Sequence, residues 1–146
     1  MNVSSFPPLD VVADHNPATY VQLSYGRCCA SPAFFDDFYD TFTSKSPQIK
    51  ELFTHTDFVK QKKLLKESLT YVIMYSLGSA VAADQMKKLG QRHGRQGLNI
   101  PPQLYTMHLE ALIQTIKKHD KKFRPELESM WREVMDNAIR AIHAEQ

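Results

Sequence analysis

The chain has 146 residues, the usual size of one domain, and can bury a core without disulfides or structural metals. Hydrophobic residues make up 42% and charged residues 23%, as in ordinary globular proteins, and a net charge of +2 does not favour a nucleic acid partner. No run of about 18 apolar residues occurs, and the N-terminus lacks the pattern of a signal peptide. The adjacent Cys28 and Cys29 do not suit a loop-closing disulfide. We expect a cytoplasmic protein with no membrane partner, folded over residues 17–146 after an extension over residues 1–16.

Three helices are each predicted from a capping residue followed by proline. These start signals are Asn16-Pro17, Ser31-Pro32 and Ser46-Pro47. The first helix should run to about Ala30, and the third, a short one, should end near Phe53. The second carries a dense aromatic set, namely Phe34, Phe35, Phe38, Tyr39 and Phe42. So many aromatic residues in one helix indicate that it packs against something large.

Two further helices follow in the middle of the chain. Asp57 can cap a long helix that Gly78 ends, with an inner stripe of Gln61, Leu65, Leu69, Val72 and Ile73. Its other face carries lysines, at Lys60, Lys62, Lys63 and Lys66. The next helix should begin near Ala80 and present Val81, Met86 and Leu89 before it ends at His93, where Gly94 can turn the chain.

The last two helices are predicted to form the centre of the core. One starts at Pro101 and carries apolar residues at helical spacing, including Leu104, Tyr105, Leu109, Leu112, Ile113 and Ile116. The other begins near Pro125 and places Trp131 in the core. No run with the period of two that marks a strand occurs, so the fold class is all-α.

Polar residues on the apolar faces need partners. A buried Gln or Tyr without a hydrogen bond costs roughly 1–3 kcal/mol, so Tyr39 and Gln61 should bond to each other, to water or to a ligand. The imidazole of His93 needs a partner for the same reason. Imidazole is also a common ligand of haem iron.

Three motifs together resemble the globins, in particular the single-domain and flavohaemoglobin-like globins of bacteria. The first runs from Phe38-Tyr39-Asp40 through Pro47 to Leu52-Phe53; the second is Lys60-Gln61-x-x-x-Leu65; the third is Leu89-x-x-x-His93 followed by Pro102 and Tyr105. The resemblance covers about residues 20–144. It implies a globin fold, with helices three over three around a pocket for haem b.

Carried over residue by residue, the resemblance implies that His93 is the proximal ligand of the haem iron. Phe53 would pack on the porphyrin, and Tyr39 with Gln61 would form the distal polar pair that stabilises a bound gas. Further haem contacts would come from Leu65, Leu89, Tyr105 and Leu112.

Alternatives remain open around this site. Lys60 or Leu64 could take the position given to Gln61, and His55, Gln61 or a lysine could be an internal sixth ligand of the iron. Solvent exposure is the simpler interpretation of His55, and packing is the simpler one for His108.

The resemblance implies reversible binding of dioxygen, carbon monoxide or nitric oxide. A second possibility is a nitric oxide dioxygenase that works with a separate reductase, since the chain carries no flavin or nicotinamide domain. A third is a haem-based gas sensor, and either a monomer or a homodimer fits all three. No glutamate stands where the flavohaemoglobin pattern has a partner for the proximal tyrosine, which weakens the enzymatic interpretation.

Overall fold

The computed structural model describes residues 16–93 and 102–144, except for the side chains of residues 90–93, 102 and 143–144. These ranges form seven helices and no strand, which confirms the all-α prediction. The helices are α1 (Pro17–Cys29), α2 (Phe34–Thr43), α3 (Pro47–Leu52), α4 (Phe58–Ser76), α5 (Ala80–His93), α6 (Pro102–His119) and α7 (Pro125–Ala144).

Most helix boundaries follow from the local signals in the sequence. The side chains of Asn16, Ser46 and Asp57 each accept a hydrogen bond from an amide in the first turn of the helix that follows. Gly78 has a φ of 94° just after α4, a left-handed conformation that favours glycine. The predicted starts of α1, α3 and α4 and the end of α4 are therefore confirmed. On α6, the described helix begins at Pro102, and the predicted start at Pro101 lies outside the described residues.

The predicted cap of α2 at Ser31 is wrong. The helix begins at Phe34, after Ala33, without a side-chain cap. The Ser31 hydroxyl instead hydrogen bonds with Nδ1 of His119 at 2.5 Å, and Nε2 of His119 lies 2.6 Å from Asp37. Ser31 therefore links the segment before α2 to the end of α6, and α2 itself begins three residues after Ser31.

The prediction that Val81 lies on the inner face of α5 is also wrong. Val81 is 65% exposed, whereas Ala82 and Met86 are buried. The Ser79 hydroxyl accepts a hydrogen bond from the Ala82 amide at 3.2 Å and fixes the rotation of the first turn. The core-facing stripe of α5 therefore starts at Ala82.

The helices pack in two groups of three, with α3 joined to α2. Helices α1, α4 and α5 form one group, and α2, α6 and α7 form the other; α7 contacts every member of the first group. This is the predicted three-over-three arrangement. Trp131 of α7 is fully buried, as predicted, and no described helix is long and apolar enough to cross a membrane.

A buried polar network fixes α1 against the turn between α6 and α7. Asp120 is buried and accepts hydrogen bonds from the Ser24 hydroxyl at 2.6 Å and from two nitrogens of Arg27 at 2.5 and 3.0 Å. The Ser24 oxygen in turn accepts a hydrogen bond from the Trp131 indole. Desolvation acts to raise the pKa of Asp120, but the hydrogen bonds from Arg27, Ser24 and the Lys122 amide outweigh it, and the pKa lies below its ordinary value.

Replacing Asp120 should be costly because it leaves buried polar groups without a partner. We expect Asp120→Ala to lower the free energy of unfolding by about 3 kcal/mol, measured by urea denaturation at neutral pH. Asp84→Ala is the control, because the pair between Asp84 and Lys88 is exposed and should contribute less than about 1 kcal/mol. Similar losses in the two variants would contradict a stabilising role for the network.

Candidate functional site

Two buried rings of α2 form the base of the candidate site. Phe38 and Phe42 stack with their ring centroids 5.6 Å apart. The ring of His108 on α6 lies 4.9 Å from Phe38 and 5.3 Å from Phe42. The packing role predicted for His108 is therefore confirmed.

Phe53 and Phe58 extend this aromatic group toward α4. Phe53 follows the last residue of α3, and its ring lies 5.8 Å from those of both Tyr39 and Phe42. Phe58 is the first residue of α4, and its ring lies 5.4 Å from Tyr39 and 6.0 Å from Phe53. Phe58 is not among the site residues predicted from the sequence. The feature of the sequence that points to Phe58 is its position directly after the helix cap Asp57.

The predicted pair of Tyr39 and Gln61 is in contact, but through an unexpected atom. The Tyr39 hydroxyl donates a hydrogen bond to the main-chain carbonyl oxygen of Gln61 at 3.3 Å. Tyr39 is 6% exposed and Gln61 is half-buried. The phenol therefore joins α2 to the first turn of α4, and the bond does not depend on the Gln61 side chain.

The surroundings of Tyr39 further favour the protonated form of its hydroxyl, which is already the main form of a tyrosine at neutral pH. Burial raises the pKa of Tyr39 to about 12, and the Gln61 side-chain amide contributes a smaller opposing effect. A protonated phenol is a hydrogen-bond donor, whereas a phenolate is only an acceptor. Near neutral pH the site therefore holds a buried donor on α2.

Leu65 and Leu89 lie on the two helices that face each other at the next part of the site. Leu65 is buried on α4, and Leu89 is half-buried on α5. A cavity of about 200 Å³ lies between these helices, lined by Leu64, Glu67, Ser68, Tyr71, Gln85, Met86 and Leu89. The lining contains Leu89, a predicted haem contact, and Leu64, one of the alternatives for the distal position.

Helix α6 carries the remaining predicted contact residues. Leu112 is fully buried, and Tyr105, two turns earlier, is half-buried. Because α6 packs on α2, Leu112 belongs to the same core as Phe38 and Tyr39.

His93 is the last residue of α5, but its side chain lies outside the described residues. The predicted turn at Gly94 also lies outside them. The role of His93 as an iron ligand therefore stays a prediction.

The alternatives for the distal position differ in exposure. Lys60 and Leu64 are exposed, and only Gln61 among the three has a described hydrogen bond to Tyr39. His55 is exposed before the start of α4, as expected for a solvated residue. These contacts favour Gln61 as the neighbour of Tyr39.

A larger cleft of about 700 Å³ lies between α2 and α6 but contains none of the predicted site residues. Its lining is polar, with Asp37, Asp40, Thr41, Ser44, Lys45, Gln114 and Lys118. Small-molecule sites are mostly apolar with a few polar groups. Volume alone therefore does not identify the functional site in the described residues.

Comparison with known proteins identifies the family. The globin family model matches residues 36–142. The chain belongs to the globin family. A crystal structure of a Pseudomonas aeruginosa PAO1 protein, described as structurally highly homologous to a human haemoglobin, matches this globin with a TM-score of 0.84 and 41% identity, over 89% of this chain and 98% of that chain. None of the curated proteins matches. The predicted globin fold is thus confirmed.

Globins generally bind haem, and the described residues of this globin fit part of such a site. The cavity between α4 and α5 has apolar lining from Leu64, Met86 and Leu89. The buried Tyr39 phenol and the Phe53 ring contact each other but do not line this cavity. The cavity is smaller than the roughly 300–1,000 Å³ typical of ligand pockets, so these residues account for part of a haem site rather than all of it.

The protonation of Tyr39 can be tested by titration. An exposed tyrosine is half ionised near pH 10, whereas Tyr39 should be ionised there only to about one part in a hundred. The phenolate absorbance of wild type minus that of Tyr39→Phe should therefore stay flat up to pH 10. In concentrated urea the same difference should rise near pH 10, and a rise at that pH in the folded protein would contradict the burial of the phenol.

Proposed function

We propose that this globin binds haem b between α4 and α5 and reversibly binds dioxygen, with Tyr39 as the hydrogen-bond donor to the gas. The observation that carries the proposal is the buried, protonated phenol of Tyr39 beside Gln61. Haem iron supplies the atom to which the gas binds and gives dioxygen a partial negative charge. Residues of the chain hold the iron, contact the haem and donate a hydrogen bond to the gas.

His93 is proposed to hold the iron. It follows Met86 and Leu89 by seven and four residues, which is the spacing of one helical face, and these two residues line the cavity between α4 and α5. A neutral imidazole offers a nitrogen lone pair to iron, and a hydrogen bond from its other nitrogen would fix its orientation.

The haem contacts are proposed to come from aromatic and apolar side chains. Phe53 is half-buried and held by rings on two sides, so it presents a fixed aromatic face. The other contacts are Leu65, Leu89, Tyr105 and Leu112. Burial of this surface favours binding by roughly 25 cal/mol for each Å² removed from water.

Tyr39 is suited to bind a polar gas because its present hydrogen bond is long. The 3.3 Å separation from the Gln61 carbonyl exceeds the usual 2.5–3.0 Å of an O–H···O bond. The phenol can therefore exchange this acceptor for dioxygen at small cost. A hydrogen bond to a charged group contributes about 1.5–3 kcal/mol, and carbon monoxide, which is less polarised, should gain less.

The iron ligand can be tested by replacing His93. We expect haem-loaded His93→Ala to lose the Soret spectrum of the wild type and to regain it when imidazole is added. His55→Ala should keep the wild-type spectrum, because His55 is exposed. A wild-type spectrum in His93→Ala without imidazole would exclude the proximal assignment.

The distal donor can be tested by dissociation kinetics. Tyr39→Phe removes the hydroxyl and should speed dioxygen dissociation about ten- to a hundredfold, with a smaller effect on carbon monoxide. Tyr75→Phe is the control, since Tyr75 is half-buried further along α4. Stopped-flow measurements of both gases check this, and equal effects on the two gases would contradict hydrogen bonding as the cause.

A further inference from the structure

The structure assigns to Phe58 the role of covering the Tyr39 phenol, so that this side chain controls the access of water and small molecules to the distal donor. The gas-entry part of this inference rests on the proposed function. The covering of Tyr39 itself does not require a bound gas.

The ring of Phe58 lies between the aromatic group and the solvent. Its centroid is 5.4 Å from Tyr39, edge to face, and 6.0 Å from Phe53, stacked. Phe58 is 37% exposed, whereas Tyr39 is 6% exposed. Phe58 therefore touches Tyr39 on one side and water on the other, as a cover must.

The helix geometry places both contacts of Tyr39 on one face of α4. Phe58 and Gln61 are three residues apart, and residues at this spacing are neighbours on a helix surface. Phe58 contacts the ring of Tyr39, and the main-chain carbonyl of Gln61 accepts a hydrogen bond from the Tyr39 hydroxyl. One turn of α4 thus holds both ends of the Tyr39 side chain.

The position of Phe58 is fixed by the cap that precedes it. The Asp57 carboxylate accepts hydrogen bonds from the amides of Val59 and Lys60 at 3.1 and 3.4 Å, so the first turn of α4 is ordered from its first residue. Val59 is 77% exposed, and no described ring contact involves it. It offers a matched control, since it lies in the same turn and is also apolar.

Nitration of tyrosine by tetranitromethane measures access to Tyr39 in the intact 146-residue protein. The reagent attacks the phenolate, so loss of the cover should speed nitration in two ways, by opening a path and by lowering the pKa of Tyr39. A fall of about one pKa unit alone gives on the order of a tenfold faster reaction. Peptide mass spectrometry separates Tyr39 from the other tyrosines, and buried Tyr25, whose hydroxyl donates to the Lys66 carbonyl, is the internal reference.

We expect nitration of Tyr39 to be about tenfold faster in Phe58→Ala, intermediate in Phe58→Leu and unchanged in Val59→Ala. Nitration of Tyr25 should stay the same in all variants. Phe58→Leu keeps a large apolar side chain and so still tests the inference if Phe58→Ala does not fold. Helicity measured by circular dichroism checks the folding of each variant.

Carbon monoxide recombination after flash photolysis of the haem-loaded protein tests the gas-entry part. The association rate should rise in Phe58→Ala and stay unchanged in Val59→Ala. In a folded Phe58 variant, an unchanged nitration rate of Tyr39 overturns the covering role, and an unchanged recombination rate overturns the gas-entry part. If the wild type itself binds no carbon monoxide, the proposed function fails, and the nitration measurement alone decides the role of Phe58.

Discussion

The hydrogen bond from the Tyr39 hydroxyl to the Gln61 carbonyl is the interaction on which the proposed site depends. It joins the two groups of helices at a polar atom, since Tyr39 belongs to α2 and Gln61 to α4. The phenol is buried, so it needs an acceptor. The first turn of α4 supplies one, and the donor stays protonated inside an otherwise aromatic environment.

The aromatic group around Tyr39 arises from short-range features of the chain that act together. The spacing of the α2 aromatics places Phe38 and Phe42 on one face, where they stack. The cap at Ser46 starts α3, which ends at Leu52 just before Phe53, and the cap at Asp57 starts α4, which begins at Phe58. The end of α3 and the start of α4 therefore place the rings of Phe53 and Phe58 against Tyr39.

The sequence predicted the helices well because their boundaries are local. Asn16, Ser46 and Asp57 cap their helices as the patterns indicated, since each needs only amides within its own turn. The cap predicted at Ser31 is absent because α2 begins three residues later, and the Ser31 hydroxyl bonds instead to His119, a residue distant in sequence. The contact of Tyr39 with Gln61 was predicted as a pair, but the acceptor atom and the role of Phe58 depend on how α2 and α4 pack. The spacing of residues within either helix does not predict how the two helices pack.

The use of a main-chain carbonyl has a consequence for how this site can vary. A phenol has one proton, so Tyr39 cannot donate to the carbonyl and to a gas at the same time. The proposed affinity for dioxygen therefore reflects the difference between two acceptors, and the carbonyl is present whatever residue stands at position 61. A substitution there changes the competition only by moving the first turn of α4 or by altering the side-chain amide. The Asp57 cap orders that turn, so it holds the competing main-chain carbonyl in place whatever side chain stands at position 61.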